Sequence, residues 1–216
     1  QLSTSRNWAV WVADYLDTYD PDPLRYYLSI TMPETSDSDF SWWDFVRRNN
    51  DELVATYGNL VHRVLTIVNR NFQGRIPQPG ALGKDDQKVL EDAERAIAEV
   101  GKHLSVCSFR LALSTAMGLA QAANRYLDSK APWKALADDP QAAGTSLWVT
   151  LVAISALKTA MLPFLPFSSR LLHRFLGFSE EPEEVGWSLQ WPEPGQALPK
   201  PEALFVKLDD SVAEEE

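Results

Sequence analysis

The chain is poor in the residues that build covalently or metal-braced folds. It holds one cysteine, Cys107, and three histidines in 216 residues. A single thiol cannot close an internal disulfide, and it excludes metal sites built from several cysteines. This usage fits a cytosolic compartment. Basic residues are also in deficit, with 20 Lys and Arg against 30 Asp and Glu and a formal net charge of −10. A protein that coats duplex nucleic acid needs the opposite balance, so broad phosphate binding is a poor reading. The first residues show no basic region followed by an apolar stretch, so no secretory leader is expected there. The abrupt opening Gln1-Leu-Ser-Thr-Ser-Arg6, without an initiator Met, reads as a piece of a longer protein.

The acid is unevenly spread. Glu180, Glu181, Glu183 and Glu184 carry −4, and the tail from Lys207 to Glu216 carries another −4, leaving −2 on the rest. A site that reads a few bases needs less positive charge than one that follows a phosphate backbone. A hydrophobic content of 45% and eight Trp suit a globular chain with a substantial core, as one large domain or two small ones.

Periodicity and punctuation predict a helical chain. After a loop and short strand over 1–12, helices are expected at about Val12–Thr18 and from Leu24 after the Asp20-Pro-Asp-Pro23 break. Pro33 to Asp39 is a polar loop. Ser41 can cap a long helix from Trp42 to about Phe72, with Asp44 in its first turn. Leu53, Tyr57, Leu60, Val61, Val64 and Val68 give that helix an apolar face, beside a polar stripe of Glu52, Thr56, Asn59, Arg63, Thr66 and Arg70. Further helices are expected at about 85–100, broken near Gly101, and at 104–128, 141–165 and 168–176. The 104–128 segment is rich in Ala, Ser, Thr and Gly, which permits close packing at the centre of a bundle. Trp187–Trp191 and Leu204–Leu208 read as short strands docking on the outside. The fold class expected is all-α, a helical bundle with a small C-terminal β appendage. Its divisions are 1–40, a helical bundle over 41–180, and an extended segment with an acidic tail over 181–216.

One pair of motifs points to chemistry. Asn59 and Arg63 lie four apart on one helix face. An amide and a guanidinium side by side can read a base edge through directed hydrogen bonds. Trp133, presented just after Pro132, offers a flat surface on which a base can stack. Together they suit one unstacked RNA base.

Several segments then carry a resemblance: Leu2-Ser-Thr-Ser-Arg6, Leu24-Arg-Tyr-Tyr-Leu28, Pro33-Glu-Thr-Ser-Asp-Ser-Asp-Phe40, Gly58-Asn-Leu-Val-His-Arg63, Lys130-Ala-Pro-Trp133 and Lys200-Pro-Glu-Ala-Leu-Phe205. In order and spacing the chain resembles the C-terminal half of the methionyl-tRNA synthetases, most closely their archaeal-like form. The resemblance implies a stem-contact region before residue 40 and an anticodon-binding bundle after it. It implies that Asn59, Arg63, Pro132 and Trp133 read the CAU anticodon of tRNA-Met. It implies that Gln1, Leu2, Ser3, Thr4 and Ser5 are the remnant of a loop that stabilises ATP phosphates. Gln1 and Thr4 stand where that loop carries lysines, and each missing cation removes electrostatic stabilisation. The family's histidine-pair signature is absent, as none of His62, His103 and His173 has a histidine neighbour. The parent enzyme would use ATP and zinc and would carry a catalytic domain upstream. This piece would hold no catalytic residue, cofactor or metal of its own. It would act in the cytoplasm without a membrane, and nothing in the sequence sets its oligomeric state.

Other readings compete at each point. Without the resemblance, Asn59 and Arg63 would be an ordinary solvated helix face, and Trp133 a half-buried core residue behind a helix-starting proline. Trp8, Trp11, Trp42, Trp43 and Trp148 read as core or packing residues. His103 and Cys107 lie four apart but lack a third, orienting group, so Cys107 reads as a small buried residue. Leu147–Phe167 has the length of a membrane span, but Lys158 interrupts it and a buried bundle helix fits better. The alternative to a synthetase piece is a stand-alone tRNA-binding or helical protein-interaction module.

Overall fold

A computed structural model of the protein describes residues 11–34 and 37–214. The helices are α1 (Val12–Thr18), α2 (Pro21–Ile30), α3 (Trp42–Arg48), α4 (Asn59–Asn71), α5 (Lys84–Ser105), α6 (Phe109–Lys130), α7 (Pro132–Ala135), α8 (Pro140–Met161), α9 (Pro166–Phe175) and α10 (Pro182–Val185). A π-helical segment, Asn49–Gly58, joins α3 to α4, and a 3₁₀ turn covers Asp210–Glu214.

Local chemistry sets the ends. Proline opens α2, α7, α8, α9 and α10, where its missing N–H costs no helical hydrogen bond. The Ser41 hydroxyl accepts from the Asp44 N–H at 3.4 Å to cap α3, and the Asp139 carboxylate accepts from the Ala142 N–H at 2.9 Å to cap α8. α2 begins at Pro21, three residues before the expected start. α5 runs straight through Gly101 to Ser105, where a break was expected. That glycine serves close packing: a Cβ there would fall 2.6 Å from the Trp187 indole nitrogen. α6 consequently starts at Phe109.

The main core is built around α8. Nearly every side chain from Ala143 to Met161 is buried, as a helix apolar all round requires. Its hydroxyls turn inward onto carbonyls, Ser146 to Ala143 and Thr150 to Ser146. α8 is the one helix among the described residues long and apolar enough to cross a membrane, and 94% of that stretch is buried inside the protein. α4, α5 and α6 surround it. On α6, Ala112, Ala116, Ala120 and Ala123 face inward fully buried, so small residues do bring this helix close. Leu60, Val61, Val64 and Val68 of α4 complete the same core.

A second core gathers Tyr15, Leu24, Tyr27, Phe45 and Val46, with Phe40, Trp42, Leu208 and Val212 packed against it. It draws on residues from either side of positions 40 and 180. Edge-to-face rings, such as Tyr27 with Phe45 at 5.7 Å, make up much of it. Two polar staples join it to the bundle. Arg25 donates to the Phe164 and Pro163 carbonyls at 2.9 and 3.0 Å, and the Asp22 carboxylate accepts from the Ser168 N–H at 2.6 Å.

Four expectations are corrected. The long helix over 42–72 is not uniform, because its middle third is π-helical. The β appendage is not a sheet: among the described residues there is no strand, only an isolated antiparallel bridge between Arg75 and Ala197. The extended segment over 186–209 instead satisfies its backbone on helix side chains, with Trp148 donating to Pro192 O and Ser155 to Gln190 O. Its apolar alternation therefore marks docking on helices, not pairing with another strand. Of the tryptophans, Trp148 stacks on Trp191 and Trp42 joins the second core, but Trp11 and Trp43 are exposed. Trp8 lies outside the described residues. Cys107 is also exposed, in a left-handed turn with φ 56°.

Candidate nucleic-acid interface

Asn59 and Arg63 open α4, one turn apart. Leu60, Val61 and Val64 anchor the opposite face of that helix at zero exposure, so Asn59 projects into solvent and Arg63 is half-exposed. The burial of one face therefore fixes the direction of the other.

Pro132 and Trp133 reach this face from α7. The last turn of α6 ends at Ala131 in a left-handed conformation, φ 42° and ψ 57°, which costs an alanine about 1–2 kcal/mol. That residue joins α6 to α7, where Pro132 is buried and Trp133 emerges 40% exposed. Lys130 braces the turn from below. Its ammonium lies 3.2 Å from Asp86 at the start of α5, and Asp86 also accepts from the Tyr126 hydroxyl at 2.8 Å and from the Gly83 N–H at 2.8 Å. Burial opposes the Asp86 charge, but these three partners outweigh it and hold its carboxyl below the usual range. Burial first, and then the hydrogen bond to Asp86 and its charge, push the Tyr126 phenol up.

The two motifs meet in space. The Arg63 guanidinium carbon lies 5.1 Å from the Trp133 ring centre, a cation–π distance. Asp128 of α6 accepts from Arg63 at 2.8 Å. The guanidinium is thus flanked by an indole and a carboxylate, with its remaining N–H donors still available. With Asn59 exposed, Arg63 half-exposed and Trp133 40% exposed, these side chains form a solvent-facing shelf. A flat shelf suits stacking, which needs one free ring face.

Sequence reasoning missed Asp128, the Asp86 brace and the strained Ala131. Asp128 precedes Trp133 by five residues across a helix end, and no periodicity pairs it with position 63. Gln1, Leu2, Ser3, Thr4 and Ser5 lie outside the described residues. Among the described residues no three His, Cys, Asp or Glu side chains group as a metal site would require.

Two family models match the chain in succession. The class I tRNA synthetase model for methionine, "tRNA synthetases class I (M)", covers residues 1–65. The "Anticodon binding domain of methionyl tRNA ligase" covers 76–216. The chain belongs to the methionyl-tRNA ligase family. A methionine–tRNA ligase of Dehalococcoides mccartyi strain 195 is 54% identical over 216 residues, the whole of this chain and 39% of that protein. The Thermomicrobium roseum methionine–tRNA ligase is 45% identical over 242 residues, again covering the whole chain and 41% of its own length. The fold matches Mycobacterium tuberculosis methionyl-tRNA synthetase in its apo form, with a TM-score of 0.85 at 27% identity over 93% of this chain and 41% of that one. With methionyl-adenylate bound, the same enzyme matches at a TM-score of 0.86 and 28% identity, over 94% and 41%. The chain thus spans about two fifths of the length of the methionyl-tRNA ligases it matches, and it contains their anticodon-binding domain.

Proposed function

We propose that this chain is the stem-contact and anticodon-recognition part of a cytoplasmic methionine–tRNA ligase, and that the shelf of Asn59, Arg63, Pro132 and Trp133 reads the first base of the CAU anticodon of tRNA-Met. The observation that carries the reading is the meeting of Arg63 with Trp133, two residues seventy apart in sequence, at a solvent-facing edge. Cytosine offers O2 and N3 as acceptors, which a guanidinium fits, and an exocyclic amine that the Asn59 carbonyl can accept from. The Trp133 ring supports the base from one side. Asp128 holds Arg63 in register beforehand, which lowers the ordering cost of binding.

The parent reaction would join methionine to tRNA through an adenylate. ATP and zinc, which the resemblance implies, would be held mainly beyond this chain. Among the described residues no three His, Cys, Asp or Glu side chains group as a zinc site would need. The acidic stretches near 180–184 and 209–216 are compatible with this role, because selective reading of a few bases uses stacking and edge contacts more than charge.

The test compares an anticodon stem-loop bearing CAU with one bearing UAU, by fluorescence anisotropy at fixed salt. The chain should prefer CAU, and Trp133→Ala should weaken CAU binding by about 1–3 kcal/mol. Equal binding of both loops, or no effect of Trp133→Ala, would remove the reading.

A further inference from the structure

The residue just before the reading face is the end of an unusual element. Asn49–Gly58 is a ten-residue π-helix, whereas π-helices are rare and mostly confined to single turns. The Asn59 N–H bonds to Val54 O, five residues back, so the angular position of Asn59 is set by the last π-type hydrogen bond. Replacing the i→i+5 pattern by i→i+4 shifts the helix by one residue in register, about 100° of rotation. The π-helix acts as a phase adaptor. It lets Phe45 and Val46 face the second core while Leu60, Val61 and Val64 face the main one.

Something must hold so unfavourable a geometry, and the C-terminal segment does. Asn50 donates to Leu208 O at 2.9 Å and accepts from Leu208 N–H at 2.9 Å, a reciprocal amide pair. Asn49, buried, donates to Val206 O at 3.0 Å. At the other end of the π-helix, the Phe205 ring lies 5.7 Å from that of Tyr57. It also lies 3.2 Å from where a Gly58 Cβ would sit, a position already 3.0 Å from Leu53 O. From the opposite side, Asn124 of α6 donates to Thr56 O at 3.0 Å. The first and last turns of the π-helix are thus gripped by residues 205–208, some 150 positions away in sequence.

We infer that the 205–208 segment, clamped on the π-helix through Asn50 and Phe205, holds Asn59 and Arg63 in register with Trp133, making Asn50 and Phe205 positioning residues for base reading. This rests on the anticodon-reading function proposed above. Neither residue lies on the Asn59–Arg63–Trp133 shelf. Each acts through the helix that presents the readers, and their loss releases the π-helix toward ordinary α geometry.

The experiment uses the whole chain labelled with 5-fluorotryptophan, with the Trp133 ¹⁹F resonance assigned by Trp133→Phe. Asn50→Ala and Phe205→Leu are compared with wild type for circular dichroism, for the Trp133 resonance without RNA, and for the CAU-over-UAU binding ratio. Both variants should keep cooperative, helical folds, move the Trp133 resonance, and shrink the CAU preference roughly two- to tenfold. Adding Asn50→Ala to Arg63→Ala should change the residual preference little, because the reader is already gone. Variants that fold, with the Trp133 resonance and the CAU preference both unchanged, would overturn the inference. So would an equal loss of affinity for both loops. The RNA-free resonance keeps the test separate from the reading itself: if wild type shows no CAU preference the reading fails, while a shifted Trp133 signal still shows the clamp.

Discussion

Arg63 shows how neighbouring groups orient an exposed charged side chain. Flanked by Trp133 and Asp128, it loses rotamer freedom without any ligand, which is what the proposed base reading requires. An exposed ion pair of this kind contributes little to stability, so its value lies in orientation. Another residue stands out for the opposite reason. Lys158 of α8 is 2% exposed, with its ammonium 3.3 Å from His173 Nδ1, hydrogen-bonded to Gln190 and 4.9 Å from the Phe178 ring centre. Burial pulls its pKa down to about 8. Burial, followed by the Lys158 charge, also lowers that of His173, against the opposing pull of Glu180 and Glu181. The unfolded lysine keeps its ordinary value near 10.4, so between the two values the unfolded chain binds more protons than the folded one. The charged lysine thus weakens the fold at neutral pH, and that penalty lifts as pH rises through 8. Wild type should gain on Lys158→Met by up to about 1.4 kcal/mol per pH unit from roughly pH 8 to 9.5, measured by urea unfolding at each pH. A difference that stays flat would contradict the buried, partly neutral lysine.

At the scale of elements, the stripes of α4 and α6 were legible because burial on one face leaves a period that sequence carries openly. Leu60, Val64 and Val68 lie inward as their spacing demands, and the pairing of Asn59 with Arg63 survived because both fall within α4. What the sequence hid has a common cause. The π-helix depends on Asn50 meeting Leu208, the support of Arg63 on Asp128, and the need for glycine at 101 within α5 on a tryptophan at 187. Each joins residues far apart in the chain, beyond any local pattern. The strand-like segments misled for the same reason, since alternation reports a face to bury and not the partner that buries it. The α4 stripe is open to a direct test. Leu60→Asp places an unpaired carboxylate at a site with no exposure and should cost at least about 3 kcal/mol by chemical denaturation. A variant melting with wild type would show that α4 faces elsewhere.

At the scale of the molecule, the fold divides labour between two cores. The bundle presents the shelf of Asn59, Arg63 and Trp133. The smaller aromatic core, stapled to the bundle by Arg25 and Asp22, takes Tyr15, Leu24, Tyr27, Phe45 and Val46 from the stretch that matches the class I synthetase model, while Leu53 to Leu65 of that stretch pack in the main core. The C-terminal segment touches both, through Phe205 in one and Leu208 and Val212 in the other. The function proposed above assigns this chain tRNA recognition and not chemistry. Methionine-dependent ATP–pyrophosphate exchange should stay at the buffer level even at high protein concentration, and clear exchange would mean that the chain carries an adenylate-forming site.

The central claim is that Arg63 reads the first anticodon base. The measurement that reaches it most directly is a double-mutant cycle across the interface, combining Arg63→Ala in the protein with C→U at that base in a stem-loop, and scoring binding free energies at one salt concentration. The account predicts a coupling of about 1–3 kcal/mol, with the variant binding CAU and UAU loops nearly alike. A coupling of zero, with the variant keeping the full wild-type preference for CAU, would contradict it.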